Sequence, residues 1–132
     1  MARIDRRELA AIFAGGAGGA LLRVWLGRQF SGASGGWPWV TFAINISGCV
    51  LLAYIATRLQ ERLPLSTYRR PLLGTGFCGA YTTFSTMQVE IVGMIDHGRL
   101  ALALAYGLAS IAAGYTAIWA TTASVRRSRL IA

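Results

Sequence analysis

The chain has 132 residues, 55% of them hydrophobic and only 14% charged, and its mean hydropathy is +0.50. Soluble domains carry roughly a quarter charged residues, so too little polar surface is present to cover a soluble globular enzyme, and the apolar content excludes a disordered chain. The 13 basic residues are all arginine against five acids, for a net charge of +8, and whether that charge marks a nucleic-acid surface depends on where the arginines fall.

They fall at the ends of long uncharged stretches. Residues 29–57, 71–89 and 100–125 contain no charged side chain. A membrane-spanning helix needs about 20 mostly apolar residues, so each stretch holds one. A fourth span is read at 9–29, where Leu9 to Leu22 is uncharged and the apolar pattern resumes after Arg23 as Val24, Trp25 and Leu26. A cleaved leader is the competing reading of this segment, but its Gly-rich core is weakly hydrophobic and it continues through Trp25. The expected architecture is an all-α integral membrane protein with spans at about 9–29, 37–57, 71–95 and 100–124. These fill 1–132 as a single domain.

The first span carries Gly15, Gly16, Gly18 and Gly19, a small-residue face that allows close helix approach. Arg23 within it either snorkels as an anchor or lends positive potential to an anion path. The second span opens Trp37-Pro38-Trp39, an interfacial signature, and holds Asn45 with Thr41 one turn before it. A membrane-embedded Asn needs partners: it joins helices or turns its amide to a wet pathway.

The third span is the unusual one. Gly74, Gly76 and Gly79 precede Tyr81-Thr82-Thr83-Phe84-Ser85-Thr86. Gly, Ser and Thr are poor helix fillers, and this cluster predicts a helix broken near its middle. Unwound backbone is tolerated in a bilayer only where protein or a cavity satisfies it, and its free carbonyls and N–H groups bind ions. The fourth span contains Tyr106 and Ser110 on one face and Thr116 some way round it. Cys49 and Cys78 fall inside spans and read as small packing residues. His97 is placed in a turn with Asp96, Gly98 and Arg99, and no catalytic constellation can be assembled.

With four spans, both termini and the middle loop share one side. That side collects ten arginines: Arg3, Arg6, Arg7, Arg58, Arg62, Arg69, Arg70, Arg126, Arg127 and Arg129. The other has Arg28 and Arg99. The positive-inside rule puts both termini in the cytoplasm, and the basic charge reads as a topology signal and an anionic-lipid contact, with no nucleic acid implied.

The string Gly79-Ala80-Tyr81-Thr82-Thr83-Phe84-Ser85-Thr86 is similar to the GG-x-TTFSTF signature of the Fluc (CrcB-like) fluoride channels. The Gly-rich run ending in Arg23 and Thr41-x3-Asn45-x2-Gly48 resemble the family's two other motifs, in order, so the resemblance covers nearly the whole chain. It implies a passive fluoride channel in the cell (inner) membrane, assembled as an antiparallel, dual-topology dimer with pores along the subunit interface. It implies that Phe84 presents its ring edge to the anion, that Asn45 donates an amide hydrogen bond, and that Thr41, Ser85 and Thr86 are pore-side hydroxyls. Tyr106, Ser110 and Thr116 then form a polar track, and backbone carbonyls of Gly79 and Thr82 hold a structural sodium (Na+) at the dimer centre.

Two positions depart from the pattern: Met87 stands where the family has a second Phe, and Ala80 where it has a second Gly. The arginine bias also departs from what dual insertion requires, so the second subunit is either the same chain or, for a chain of fixed orientation, an oppositely oriented homologue. Two other functions are compatible with the span layout. A small four-helix multidrug exporter needs a membrane-embedded carboxylate, for which the first span offers only Glu8, at its edge, and the spans otherwise lack acids until Glu90. A non-transporting scaffold subunit explains the glycines but not Asn45 with the hydroxyl cluster.

Overall fold

A computed structural model of the chain describes residues 5–30, 36–61 and 68–127, without the side chains of 59–61. Arg3, Arg62 and Arg129, three of the arginines assigned to the cytoplasmic side, lie outside the described residues. The described chain is helical, and no strand occurs in it. Its elements are α1 (Arg6–Gln29), α2 (Trp39–Glu61), a π-helical segment (Pro71–Cys78) running into α3 (Gly79–Tyr81), α4 (Phe84–Asp96) and α5 (Leu100–Arg127). Among the described residues three helices are long and apolar enough to cross a membrane: Arg6–Gln29, Trp39–Arg58 and Leu100–Arg127.

Local chemistry sets each boundary. α1 starts before residue 9 because Asp5 caps it, its carboxylate accepting the Arg7 N–H at 2.9 Å. The second carboxylate oxygen accepts the Tyr68 hydroxyl at 3.2 Å, tying the start of α1 to the start of the third segment. The Arg7 amide, foremost, holds this exposed carboxyl below the usual carboxylate range. α2 starts at Trp39 and not Trp37, because a residue before proline is disfavoured in helical conformation. The Pro38 carbonyl instead accepts the first bond, from Phe42 at 3.0 Å. The helix runs past residue 57, with the Arg58 guanidinium lying over the Tyr54 ring at 5.6 Å. α4 and α5 join through Gly98, at φ +72, the left-handed position that lets Arg99 N–H reach the Met94 carbonyl at 2.8 Å. α5 extends beyond 124 to Arg127, whose charge and that of Arg126 favour a helix C-terminus.

The helices alternate in direction. α1 packs on the π-helical segment and α3, while α2 and α4 pack on α5. The α1 contact is made backbone to backbone. A Cβ on Gly15 would lie 1.9 Å from the Leu72 carbonyl oxygen, one on Gly19 2.3 Å from the Phe77 oxygen, and one on Gly76 2.5 Å from the Ile12 oxygen. The second contact uses side chains: Met87, Met94, Ala103 and Tyr106 form a buried cluster, flanked by Trp37, Phe42, Ile91 and Leu102. Cys78 is buried and Cys49 packs near Gly114, both as free thiols.

Gly15→Ala and Gly19→Ala are expected to destabilise the protein by about 1–3 kcal/mol each, the range for overpacking. Gly18→Ala, whose methyl meets only the Phe77 ring at 3.8 Å, is expected to be tolerated. Thermal unfolding in detergent micelles measures the difference.

Candidate functional site

The third segment leaves helical conformation at Thr82 (φ −73°, ψ 156°) and Thr83 (φ −146°, ψ 113°), and α4 begins at Phe84. Each helix end at such an interruption strands backbone groups that need partners. Thr82 turns back on the preceding helix, its N–H and its hydroxyl both donating to the Cys78 carbonyl, at 3.1 and 2.9 Å. Thr83 caps α4: its hydroxyl oxygen accepts the Thr86 N–H at 3.2 Å while donating to the Thr86 hydroxyl at 2.9 Å. Ser85 lies alongside, its hydroxyl 3.4 Å from that of Thr83.

The peptide groups of Thr83 are held from α2. The Asn45 side-chain oxygen accepts the Thr83 N–H at 2.8 Å, and its amide nitrogen donates to the Thr83 carbonyl at 3.0 Å. A single side chain therefore serves both polar groups of one extended residue, as a neighbouring strand does. One turn further along α2, Gly48 makes room for the break: a Cβ there would lie 2.2 Å from Thr82 Cγ2. Ser47 bonds the Tyr81 hydroxyl at 2.9 Å.

One turn before Asn45, the Thr41 hydroxyl donates to Glu90 Oε1 at 2.5 Å, and the Tyr106 hydroxyl donates to Glu90 Oε2 at 2.8 Å. The sequence reading treated Glu90 only as a rival's coupling acid, yet it joins α2, α4 and α5. Its signal was the charge itself, an acid within an otherwise uncharged segment, whose partners only the fold could supply. Tyr106 is fully buried.

Thr41, Thr86 and Glu90 line a cavity of about 830 Å³ that also takes in Thr83 and Arg23. Trp37, His97 and Arg99 line it too, so the ends of α1 and α4 and the starts of α2 and α5 meet there. His97 stands at the C-terminus of α4, its Nδ1 2.6 Å from the Gly93 carbonyl oxygen. Arg23 thus shares a half-open space with Arg99 at the end of the molecule poorer in arginine. Its Nε and the Trp37 indole nitrogen have no hydrogen-bond partner among the described residues.

The remaining site residues disperse. Phe84 is 71% exposed on the surface, whereas Met87, one turn on, is 8% exposed in the core against α5, so the two positions face opposite ways. Ser110 is half-buried with no partner for its hydroxyl, and Thr116 is exposed with its hydroxyl bonded to its own helix at Ala112, 2.7 Å away. Tyr106 and Ser110, four residues apart on α5, share a face that turns inward, and Thr116 lies further round toward the outside. Gly79 lies exposed at the start of α3, where nothing stands within 4 Å of a Cβ, and Thr82 is half-buried. No group of three or more His, Cys, Asp or Glu side chains able to hold a metal occurs among the described residues.

Long apolar helices around a polar interruption and a charged cavity define a multi-pass helical membrane protein. Residues 10–122 match the family described as CrcB-like protein, Camphor Resistance (CrcB). The chain is 57% identical, over 98% of both lengths, to a protein of Mycolicibacterium paratuberculosis named Fluoride-specific ion channel FluC 1. It is 56% identical over 96% of both lengths to the Mycobacterium bovis protein of that name, and 35% identical to one from Streptomyces coelicolor, over 95% of this chain and 81% of the other. The chain belongs to the CrcB-like family.

Tyr106→Phe and Thr41→Val each take a hydroxyl from a half-buried carboxylate, so each is expected to cost about 1–3 kcal/mol. Because both serve Glu90, their effects are expected to be non-additive by at least about 0.5 kcal/mol. A double-mutant cycle by thermal unfolding measures the coupling.

Proposed function

We propose that this chain forms a fluoride-selective passive channel that lets cytoplasmic fluoride leave across the cell (inner) membrane. It is not an enzyme. The observation that carries the reading is the interruption at Thr82–Thr83, which sets Phe84, Ser85 and Thr86 at the start of α4. It stands in a chain 57% identical over nearly its whole length to a protein named as a fluoride-specific channel. The first-turn amides of Phe84 and Ser85 have no carbonyl one turn back to bond, and a helix N-terminus favours an anion. The exposed Phe84 ring offers a positive edge to the same charge.

The chemistry is acid–base and electrostatic. Hydrogen fluoride crosses bilayers uncharged and dissociates in a more alkaline cytoplasm, trapping the anion. A negative-inside potential then drives fluoride outward through a selective pore. The cavity holding Arg23 and Arg99 supplies positive potential at one mouth. Asn45, Ser85 and Thr86 supply neutral donors deeper in the span, while Thr41 spends its one O–H on Glu90 and acts by holding that carboxylate. Met87 lies in the core, so it acts through packing and leaves Phe84 as this chain's aromatic contact.

Segments 71–81 and 84–96 together make the third of four crossings in chain order, a broken membrane helix, and the chain is one four-span domain. The chain and its partner pair antiparallel, which covers Phe84 and the exposed Val89 and turns Ser110 and Thr116 toward the interface, while Tyr106 stays buried on Glu90 behind them. A sodium ion fits the break. In a continuous helix the Gly79 carbonyl takes the Thr83 N–H and the Thr82 carbonyl takes the Thr86 N–H. Here those two N–H groups bond Asn45 and the Thr83 hydroxyl, which leaves carbonyl oxygens, the donors a hard cation prefers. The carbonyls of Gly79 and Thr82 would hold such an ion, which would supply positive charge near the anion path.

The arginine-rich end faces the cytoplasm and anionic lipid, so the orientation is fixed and the partner is an oppositely oriented homologue. Reporters active on only one side of the membrane, fused at the C-terminus, are expected to signal from the cytoplasmic side alone. Equal signals from both sides overturn the fixed orientation. Liposomes carrying the chain with its partner are expected to release fluoride and retain chloride, and Phe84→Ile is expected to lower fluoride efflux at least tenfold. An ion-selective electrode records both.

A further inference from the structure

We infer that Asn45 is a positioning residue for the cation, and that the α2 face bearing Asn45 and Gly48 is built to keep the carbonyls of Gly79 and Thr82 free for it. The inference rests on the sodium reading above and assigns to this chain's own side chains the task of preparing that site.

An unbroken helix through 79–86 pairs the Gly79 oxygen with the Thr83 N–H and the Thr82 oxygen with the Thr86 N–H. Neither pair forms. Asn45 accepts the Thr83 N–H at 2.8 Å, and the Thr83 hydroxyl accepts the Thr86 N–H at 3.2 Å. The two donors withdrawn are those that would occupy the two candidate carbonyls. Asn45 also donates to the Thr83 carbonyl at 3.0 Å, so the peptide cannot rotate back into helical register without losing both bonds. Gly48 lies three residues on, on the same face of α2. Only a residue without Cβ leaves Thr82 Cγ2 where it is, because a methyl at Gly48 would stand 2.2 Å from it. Asn45 pulls Thr83 toward α2 while Gly48 accommodates Thr82, and the bend at this pair follows from both. The hydrogen bond to Thr83 uses one of the two N–H groups of the Asn45 amide, so the second remains for an anion.

The test uses the full chain in detergent with its partner, titrated with sodium chloride against a choline chloride background and followed by thermal unfolding. The unmodified protein is expected to gain thermal stability with a definite sodium midpoint. Asn45→Ala is expected to raise that midpoint at least tenfold, because the freed Thr83 N–H returns to the Gly79 carbonyl. Asn45→Asp keeps the acceptor for the Thr83 N–H, so it is expected to hold the sodium midpoint within threefold of the unmodified value while fluoride efflux falls. Gly48→Ala is expected to raise the midpoint, and Thr82→Ser on that background, which removes Cγ2, is expected to restore it. This second pair decides the matter if Asn45→Ala does not fold. An unchanged midpoint in Asn45→Ala, or in Gly48→Ala where Asn45→Ala does not fold, overturns the positioning role alone. An unmodified protein with no sodium response overturns the sodium reading and this inference with it.

Discussion

The constraint on which this structure depends is that a peptide group inside a bilayer has no water to bond. Helices satisfy it internally, and a helix that stops in mid-course does not. At Thr82–Thr83 the chain stops, and everything around the interruption compensates. Asn45 stands in for a neighbouring strand, Thr83 caps the helix that follows, Thr82 closes the one that precedes, and Gly48 clears the space. Partial satisfaction is what makes the place reactive. The bonds that are made hold the geometry, and other carbonyls and amides of the interruption are left without a helical partner.

The same division of labour extends along α2. Thr41, Asn45 and Gly48 lie on one helical face at intervals of four and three residues, and each grips a different part of the third segment. Thr41 holds Glu90 and through it Tyr106, Asn45 holds Thr83, and Gly48 admits Thr82. The motif Thr41-x3-Asn45-x2-Gly48 thus has a mechanical meaning as well as a chemical one. Its polar members sit in apolar surroundings because the segment they hold cannot satisfy itself.

Much of this was legible in the sequence. Two of the charge-free stretches, 29–57 and 100–125, marked long apolar helices, whereas 71–89 holds shorter helical pieces either side of Thr82–Thr83. Helix boundaries were less legible where one side chain decided them, as Asp5 did for α1 and Pro38 for α2. What the sequence withheld was direction. Spacing did not show that Met87 points into the core while Phe84 points out, nor that Thr116 spends its hydroxyl on its own helix. Glu90 was visible as a lone charge but not as the acceptor of two hydroxyls, since its partners lie 49 and 16 residues away. Long-range pairing is a property of the packed helices, and no local pattern encodes it.

The glycine contacts divide the molecule mechanically. α1 meets the π-helical segment with backbone against backbone at Gly15, Gly19 and Gly76, where repulsion rises steeply with any displacement. α4 meets α5 through Met87, Met94 and Tyr106, and two of those three are the most adaptable of apolar side chains. One side of the interruption is therefore stiff and the other compliant. Strain imposed at Thr82–Thr83 therefore falls first on the contact of α4 with α5, because the contact of α1 with the π-helical segment has no side chain to give way.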